Sequence, residues 1–340
     1  MEKFLSVLGL IAPLLILVGT GYVATRTQYF PAAATKGLAA FITKIAIPVA
    51  LFSLIAGQEL GEILDARLIL GYVLATAGIA SLTFFIARYA LSAQALRAMT
   101  MAFGSSTSNA VMIGFALMIA SPAFGEAGPK AITILFLVQS CILIPLKLAL
   151  WRGFERGDGI QLNKIGGLLL DAIKNPIIAG ILAGMAVALL RLLLPDALLS
   201  AIETGAHNPW LLPLTGGIET AAGFLSRTAA GLALFFIGST LVGTRIWSGD
   251  RQVLATMALK LLGHPALMFL AMALVSLGAG AAFDWQTARA CIALAAIPMI
   301  SVYPAVAASY GEEEFASRAA TLTLIMGAFS LTLILMLTLP

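Results

Sequence analysis

Charge is scarce in this chain: Asp, Glu, Lys and Arg together supply 11% of its 340 residues, against roughly 25% in soluble globular proteins. A soluble fold of that length needs far more polar surface than this sequence can supply. The chemistry-bearing residues are few as well, with two cysteines and two histidines. Cys141 and Cys291 both lie inside apolar runs, where buried, inert thiols are expected rather than a disulfide. With only His207 and His264 there is no HExxH, no Ser/His dyad and no metal-ligand spacing. No P-loop is present, which argues against ATP-driven pumping by this chain alone. No basic run with interleaved aromatics marks a nucleic-acid surface, and the net charge of +4 is small. No catalytic residue, metal or cofactor is called for, and the residues do not point to an enzyme.

What the chain has instead is apolar length. Hydrophobic residues make up 60% of it, and uncharged stretches cover residues 4–25, 68–87, 98–125, 290–311 and 319–340, with 261–283 broken only by His264. Each is near the roughly 20 residues that a bilayer-crossing helix needs. Lipid offers no partner to a bare backbone group, so such runs must be helices. Runs and breakers give ten spans: 4–24, 36–57, 67–90, 96–120, 129–151, 169–193, 222–244, 252–280, 286–309 and 316–338. An interfacial segment is expected over 211–222, ahead of the seventh. The first span is read as a helix rather than a signal peptide, because its n-region holds only Glu2 and Lys3 and further spans follow.

Lys and Arg placement favours both termini outside the cytoplasm. Arg26, Lys36, Arg88, Arg97, Arg152, Arg156, Lys164, Arg245, Arg251 and Arg318 then fall on inside loops. A polar cytoplasmic linker, residues 153–168, divides the chain into 1–152 and 169–340. Five spans on each side give the halves opposite topology, the plan of an inverted repeat found in many secondary transporters. The expected fold is therefore an all-α integral membrane protein in a lipid bilayer, of about ten helices in two inverted five-helix repeats.

The breakers fall in matching places. The fourth span carries Gly104-Ser105-Ser106-Thr107-Ser108-Asn109, then Met112 and Gly114; the ninth carries Ala296-Ile297-Pro298-Met299-Ile300-Ser301-Val302-Tyr303-Pro304. Two prolines remove backbone donors and clash with the preceding turn, so the ninth span must break or kink. Asn109 and Pro298 both come near the bilayer midplane. Free N–H groups at a half-helix start, beside Ser, Thr and Asn side chains, suit an anion such as a carboxylate. Close packing of small residues is the competing explanation. Expected substrate contacts are Ser105, Ser106, Thr107, Ser108, Asn109 and Met112 from one half, with Pro298, Met299, Ser301 and Tyr303 from the other.

Other polar residues at depth have two readings each. Lys44 lies about two turns into the second span and either pairs with a substrate carboxylate or snorkels to the interface. Lys147 and Lys260 lie nearer span ends and are expected to snorkel. His264, before Pro265, either carries a coupling proton or sits neutral against a carbonyl freed at the kink. Gln139, Ser140, Ser239 and Thr240 either line a cavity or serve packing. Gly180 and Gly184 form a GxxxG pair, read as a close helix contact.

Several motifs together resemble the auxin efflux carrier family, bacterial relatives of the plant PIN transporters within the bile-acid/sodium symporter-like fold. They are Ile47-Pro48 with Leu51-Phe52, Asn109 to Gly114, Asn175-Pro176-Ile177-Ile178, Leu232 to Gly238, Lys260-Leu261-Leu262 with Pro265, Ala296-Ile297-Pro298, and Tyr310-Gly311. The resemblance implies that spans four and nine cross at their broken midpoints. It also implies a scaffold of spans 1, 2, 6 and 7 beside a transport domain of spans 3–5 and 8–10, an elevator-type motion, a homodimer through the scaffold and a bacterial inner-membrane location. Family substrates are organic anions, among them auxin, malate and malonate. This chain has Ala116 where members usually carry proline, and Lys44 where they often carry asparagine. A secondary carrier for a small organic anion is the function expected, with a sodium-coupled symporter of the same fold, a channel or a receptor as alternatives.

Overall fold

The computed structural model describes residues 2–31, 33–120, 122–156, 174–194, 211–243, 249–278 and 283–338. Among them the regular structure is helical, and the sole extended pairing is an isolated antiparallel bridge between Ser108 and Met299. Eight helices are long and apolar enough to cross a membrane. In chain order α1 is Glu2–Arg26, α2 Ala34–Ala56 and α3 Ala66–Ala90. A broken segment follows, with α4 (Ala95–Ser105) and α5 (Ala110–Ile119). Next come α6 (Ala127–Trp151, continuing helically to Arg156), α7 (Pro176–Leu193), α8 (Leu211–Thr240) and α9 (Arg251–Leu277). A second broken segment holds α10 (Trp285–Ala296) and α11 (Tyr303–Ala308), and α12 (Glu313–Thr338) ends the chain.

The chain is a multi-pass membrane protein, and its described residues form eight continuous spans and two interrupted ones, the interruptions falling in the fourth and ninth. Two boundaries differ from the sequence reading. The seventh span has no separate segment before it, because α8 runs unbroken from Leu211 and takes in 211–222. The sixth begins at Pro176, where Asn175 accepts a hydrogen bond from the Ile177 N–H at 3.0 Å. Pro at the first helical position loses nothing, since its N–H would have been an orphan there. Residues 157–173, which include most of the linker and the expected start of span six, lie outside the described residues, as does His207. Aspartates cap three other starts: Asp65 on α3, Asp250 on α9 and Asp284 on α10.

Glycines set the closest approaches. A Cβ on Gly180 would stand 2.5 Å from the Pro48 carbonyl oxygen, and one on Gly184 2.9 Å from that of Phe52, so α7 lies directly against α2. The GxxxG pair is thus a packing contact, as its spacing implied. Gly21 and Gly238 do the same between α1 and α8, where a Cβ on Gly238 would overlap the Val18 oxygen. Helix α3 packs along α9, and α10 is wedged between α6, α9 and α12. Cys291 is buried and Cys141 partly so, both as free thiols.

Prolines shape three of the long helices alike. Each of Pro48, Pro145 and Pro265 stands two residues beyond a π turn: Ile42–Ala46, Leu137–Leu143 and Leu259–Gly263. A helical proline gives no hydrogen bond to the carbonyl four residues back and crowds it, and the turn before it widens. Lys44, Gln139 and Lys260 all leave from these widened turns. The carbonyl that Pro265 abandons, Leu261 O, is taken by Ser330 Oγ of α12 at 2.6 Å.

Candidate anion site at the helix crossing

The break in the fourth span is made by side chains that compete for helical carbonyls. Ser106 Oγ donates to Ala102 O at 2.5 Å and Thr107 Oγ1 to Phe103 O at 2.7 Å. Such back-bonding weakens a helix where backbone N–H groups should bind. The helix ends at Ser105, and Asn109 restarts it as an N-cap, its Oδ1 accepting from Met112 N at 3.3 Å. The break needs no proline at position 116. In the ninth span Pro298 pushes Ile297 into an extended conformation (φ −70°, ψ 156°), as the residue before a proline prefers.

The two bare strands then satisfy one another. Asn109 N donates to Pro298 O at 2.9 Å, and Ile300 N to Thr107 O at 3.3 Å. Gln139 closes the remaining gap: its Oε1 accepts from Ser108 N at 2.9 Å while its Nε2 donates to Ser108 O at 2.8 Å. Non-helical backbone at membrane depth persists only when paired in this way. Between the two strands themselves a side-chain link runs from Asn109 Nδ2 to Ser301 Oγ at 2.7 Å.

Lys147 and Lys260 do not snorkel. Each stands nine residues from the nearer end of its helix (251 to 260, and 147 to 156), roughly 13 Å at 1.5 Å per residue. Both are buried, and both turn inward to the breaks. Lys147 Nζ donates to Ser106 O at 3.0 Å and Thr107 Oγ1 at 3.2 Å. Lys260 Nζ donates to Ser108 Oγ at 2.7 Å and Ala295 O at 3.1 Å, and lies 3.0 Å from His264 Nδ1. Each Nζ therefore meets the C-terminal end of a broken helix, where the peptide dipoles leave partial negative charge. His264 is not bonded to a carbonyl at its kink, because Ser330 holds the carbonyl that Pro265 freed. It faces Lys260 instead, and its Nε2 is buried without a partner.

Beside the crossing lies a cavity of about 670 Å³. Thr43 and Lys44 of α2, Ser140, Ile144 and Pro145 of α6, and the start of α7 from Lys174 to Ile178 form its walls. Asn109, Val111, Met112, Ile300, Ser301 and Val302 form its floor. Two lysines line it, and no acidic residue does among the described residues. Of the residues singled out in the sequence, Asn109, Met112, Ser301 and Lys44 thus share one cavity. Ser105, Ser106, Thr107 and Ser108 are fully buried behind its floor, with their hydroxyls bonded inside the protein. Met299 lies in the bridge, Pro298 packs on Gly327, and Tyr303 donates to Thr100 O at 2.8 Å. Ser140 faces the cavity, whereas Ser239 and Thr240 return to their own helix. The roles of Lys147 and Lys260 were missed from sequence. Their one signal was depth: an expected span end at 151 set Lys147 closer to the interface than α6 places it, while Lys260 already lay eight residues inside the expected start at 252.

The family profile described as "Membrane transport protein" matches residues 6–335, nearly the whole chain. A relative from Rhizobium meliloti (strain 1021), named "Putative malonate transporter", is 25% identical over 331 residues, covering 96% of this chain and 94% of its own length. Both matches extend over nearly the full length of the chain. The chain belongs to the membrane transport protein family that includes the auxin efflux carriers, and it is a membrane transporter, not an enzyme.

Proposed function

We propose that this protein is a secondary carrier for a small organic anion, a mono- or dicarboxylate of malonate, malate or auxin type. The observation that carries this reading is the Asn109–Ser301 hydrogen bond on the floor of a cavity lined by Lys44 and Lys174, with no acidic residue among its described lining. A carboxylate there meets the Asn109 amide and the Ser301 hydroxyl on one side and the Lys44 ammonium on the other. The relative's printed name, which specifies malonate, supports this substrate class.

The motion we propose is alternating access of elevator type, with α3–α6 and α9–α12 carrying the crossing past a scaffold of α1, α2, α7 and α8. In support, the proposed scaffold helices pair through glycines, α1 with α8 and α2 with α7. The proposed transport helices are tied at one end by Arg97, which bonds Glu312 and Gln252, and by Trp151 stacked on Tyr310 at 4.4 Å. Exchange of the two five-span halves maps each glycine-paired contact onto the other, in keeping with an inverted repeat. The Lys and Arg bias supports both termini outside and a cavity mouth on the cytoplasmic side of a bacterial inner membrane, and a homodimer through the scaffold belongs to the same proposal.

Uptake into proteoliposomes tests the reading, with malonate, malate, oxalate, pyruvate and indole-acetate as the panel. Saturable flux with counterflow of one acid is the expected result. Flux that neither saturates nor exchanges points to a channel, and none across the panel from folded protein overturns the carrier assignment.

A further inference from the structure

Lys147 and Lys260 lie behind the cavity floor rather than on it, and neither has a carboxylate partner among the described residues. A buried charge is costly enough to require a reason. The partners of Lys260 give one. Ala295 O is a carbonyl at the C-terminal end of broken helix α10, and Ser108 Oγ is a hydroxyl on the unwound strand of the other half. Carbonyl and hydroxyl oxygens are ligands for hard cations, and carriers with broken helices hold coupling cations on freed carbonyls and half-helix C-termini. Here that oxygen cage already contains the Lys260 Nζ.

We propose that Lys260 is a tethered coupling cation, its ammonium filling the place at the crossing that a free monovalent cation such as sodium would otherwise occupy. The carrier then binds its anion with no metal cation in attendance. Lys147 does the same for the other break, holding Ser106 O and Thr107 Oγ1. The remaining partner of Lys260 is His264 Nδ1 at 3.0 Å, which accepts from the ammonium in this arrangement and completes the cage. The inference rests on the anion-carrier reading for its consequence in transport, while the cage itself can be tested without any substrate.

The experiment compares wild type, Lys260→Ala and Lys260→Met in nanodiscs, at fixed ionic strength, in sodium, methylammonium or N-methylglucamine chloride. Melting temperature is read first without any acid present, then malonate affinity. Wild type is expected to melt at one temperature and bind malonate equally in all three salts. Lys260→Ala is expected to melt lower and bind malonate about tenfold more weakly in N-methylglucamine, with both restored by sodium or methylammonium. Lys260→Met, whose chain fills the cage, is expected to gain nothing from either small cation. Wild-type malonate binding that requires sodium overturns the proposal, and needs no variant to observe. So does a folded Lys260→Ala protein indifferent to all three salts. Cation-dependent melting of Lys260→Ala in a protein that binds no acid supports the tethered cation and fails the carboxylate reading alone.

Discussion

Lys260 Nζ and Ser108 Oγ, 152 positions apart in sequence, meet at 2.7 Å in the middle of the molecule. The contact joins a widened turn of α9 to the unwound strand of the fourth span, so it spans both halves of the chain. With Gln139 holding both polar groups of the Ser108 backbone, it leaves that residue fully partnered away from water. The crossing is thus a fixed polar plug, and its cavity side presents Asn109 and Ser301.

Replacing Asn109 with alanine removes both the N-cap bond to Met112 and the bond to Ser301. The N-cap alone is worth about 1 kcal/mol, so the protein is expected to remain folded while carboxylate flux in proteoliposomes falls about a hundredfold, or 2.7 kcal/mol. Wild-type flux from Asn109→Ala would falsify a role for this residue in transport.

Gln139→Leu leaves the Ser108 N–H without a partner and its C=O with the Ala110 N–H alone. An orphaned buried group costs about 1–3 kcal/mol, so the melting temperature is expected to drop. Gln139→Glu keeps the acceptor for Ser108 N and is expected to lose less. Equal melting of both variants and wild type would remove Gln139 from the account of how the break is held.

Lys44 is exposed on the cavity wall, so its attraction for an anion is long-ranged and screened by salt. Lys44→Met is expected to weaken acid binding about fivefold at low salt, close to 1 kcal/mol, with the gap narrowing at high salt. Lys44→Glu is expected to be worse than Lys44→Met. A salt-independent difference between wild type and Lys44→Met would mean that Lys44 acts through packing.

Gly238→Ala places a methyl group where the Val18 carbonyl oxygen already lies. Overpacking of this kind costs about 1–3 kcal/mol, and α1 must move off α8. The same change at Gly231, which has open space around it, is expected to leave the melting temperature nearly unchanged, which makes it the paired control.

Much of the architecture was legible because bilayer physics leaves few choices. Uncharged runs of span length had to be helices, and the prolines at 298 and 304 had to break or kink one of them, whereas the hydroxyl run at 105–108 was open to close packing as well as to a break. Pro265 marked a helix with a kink, although its effect, a widened turn two residues upstream that Pro48 and Pro145 share, appears only in the coordinates. The separate interfacial segment expected before span seven does not form, since nothing in 211–222 breaks a helix that already includes Pro213 in its first turn.

By itself, then, the sequence determined that this is a multi-pass membrane protein whose ninth span breaks or kinks, because hydrophobic length and prolines act locally and are written in consecutive residues. Which polar groups meet at the breaks was decided by tertiary structure alone. The fate of Lys147, Lys260 and His264 depends on which freed carbonyls and hydroxyls other helices bring within 3 Å or so of them. A lysine near a helix end snorkels or turns inward according to whether such partners await it. Those partners are supplied by residues as distant in the chain as Ser106, Ser108 and Ala295.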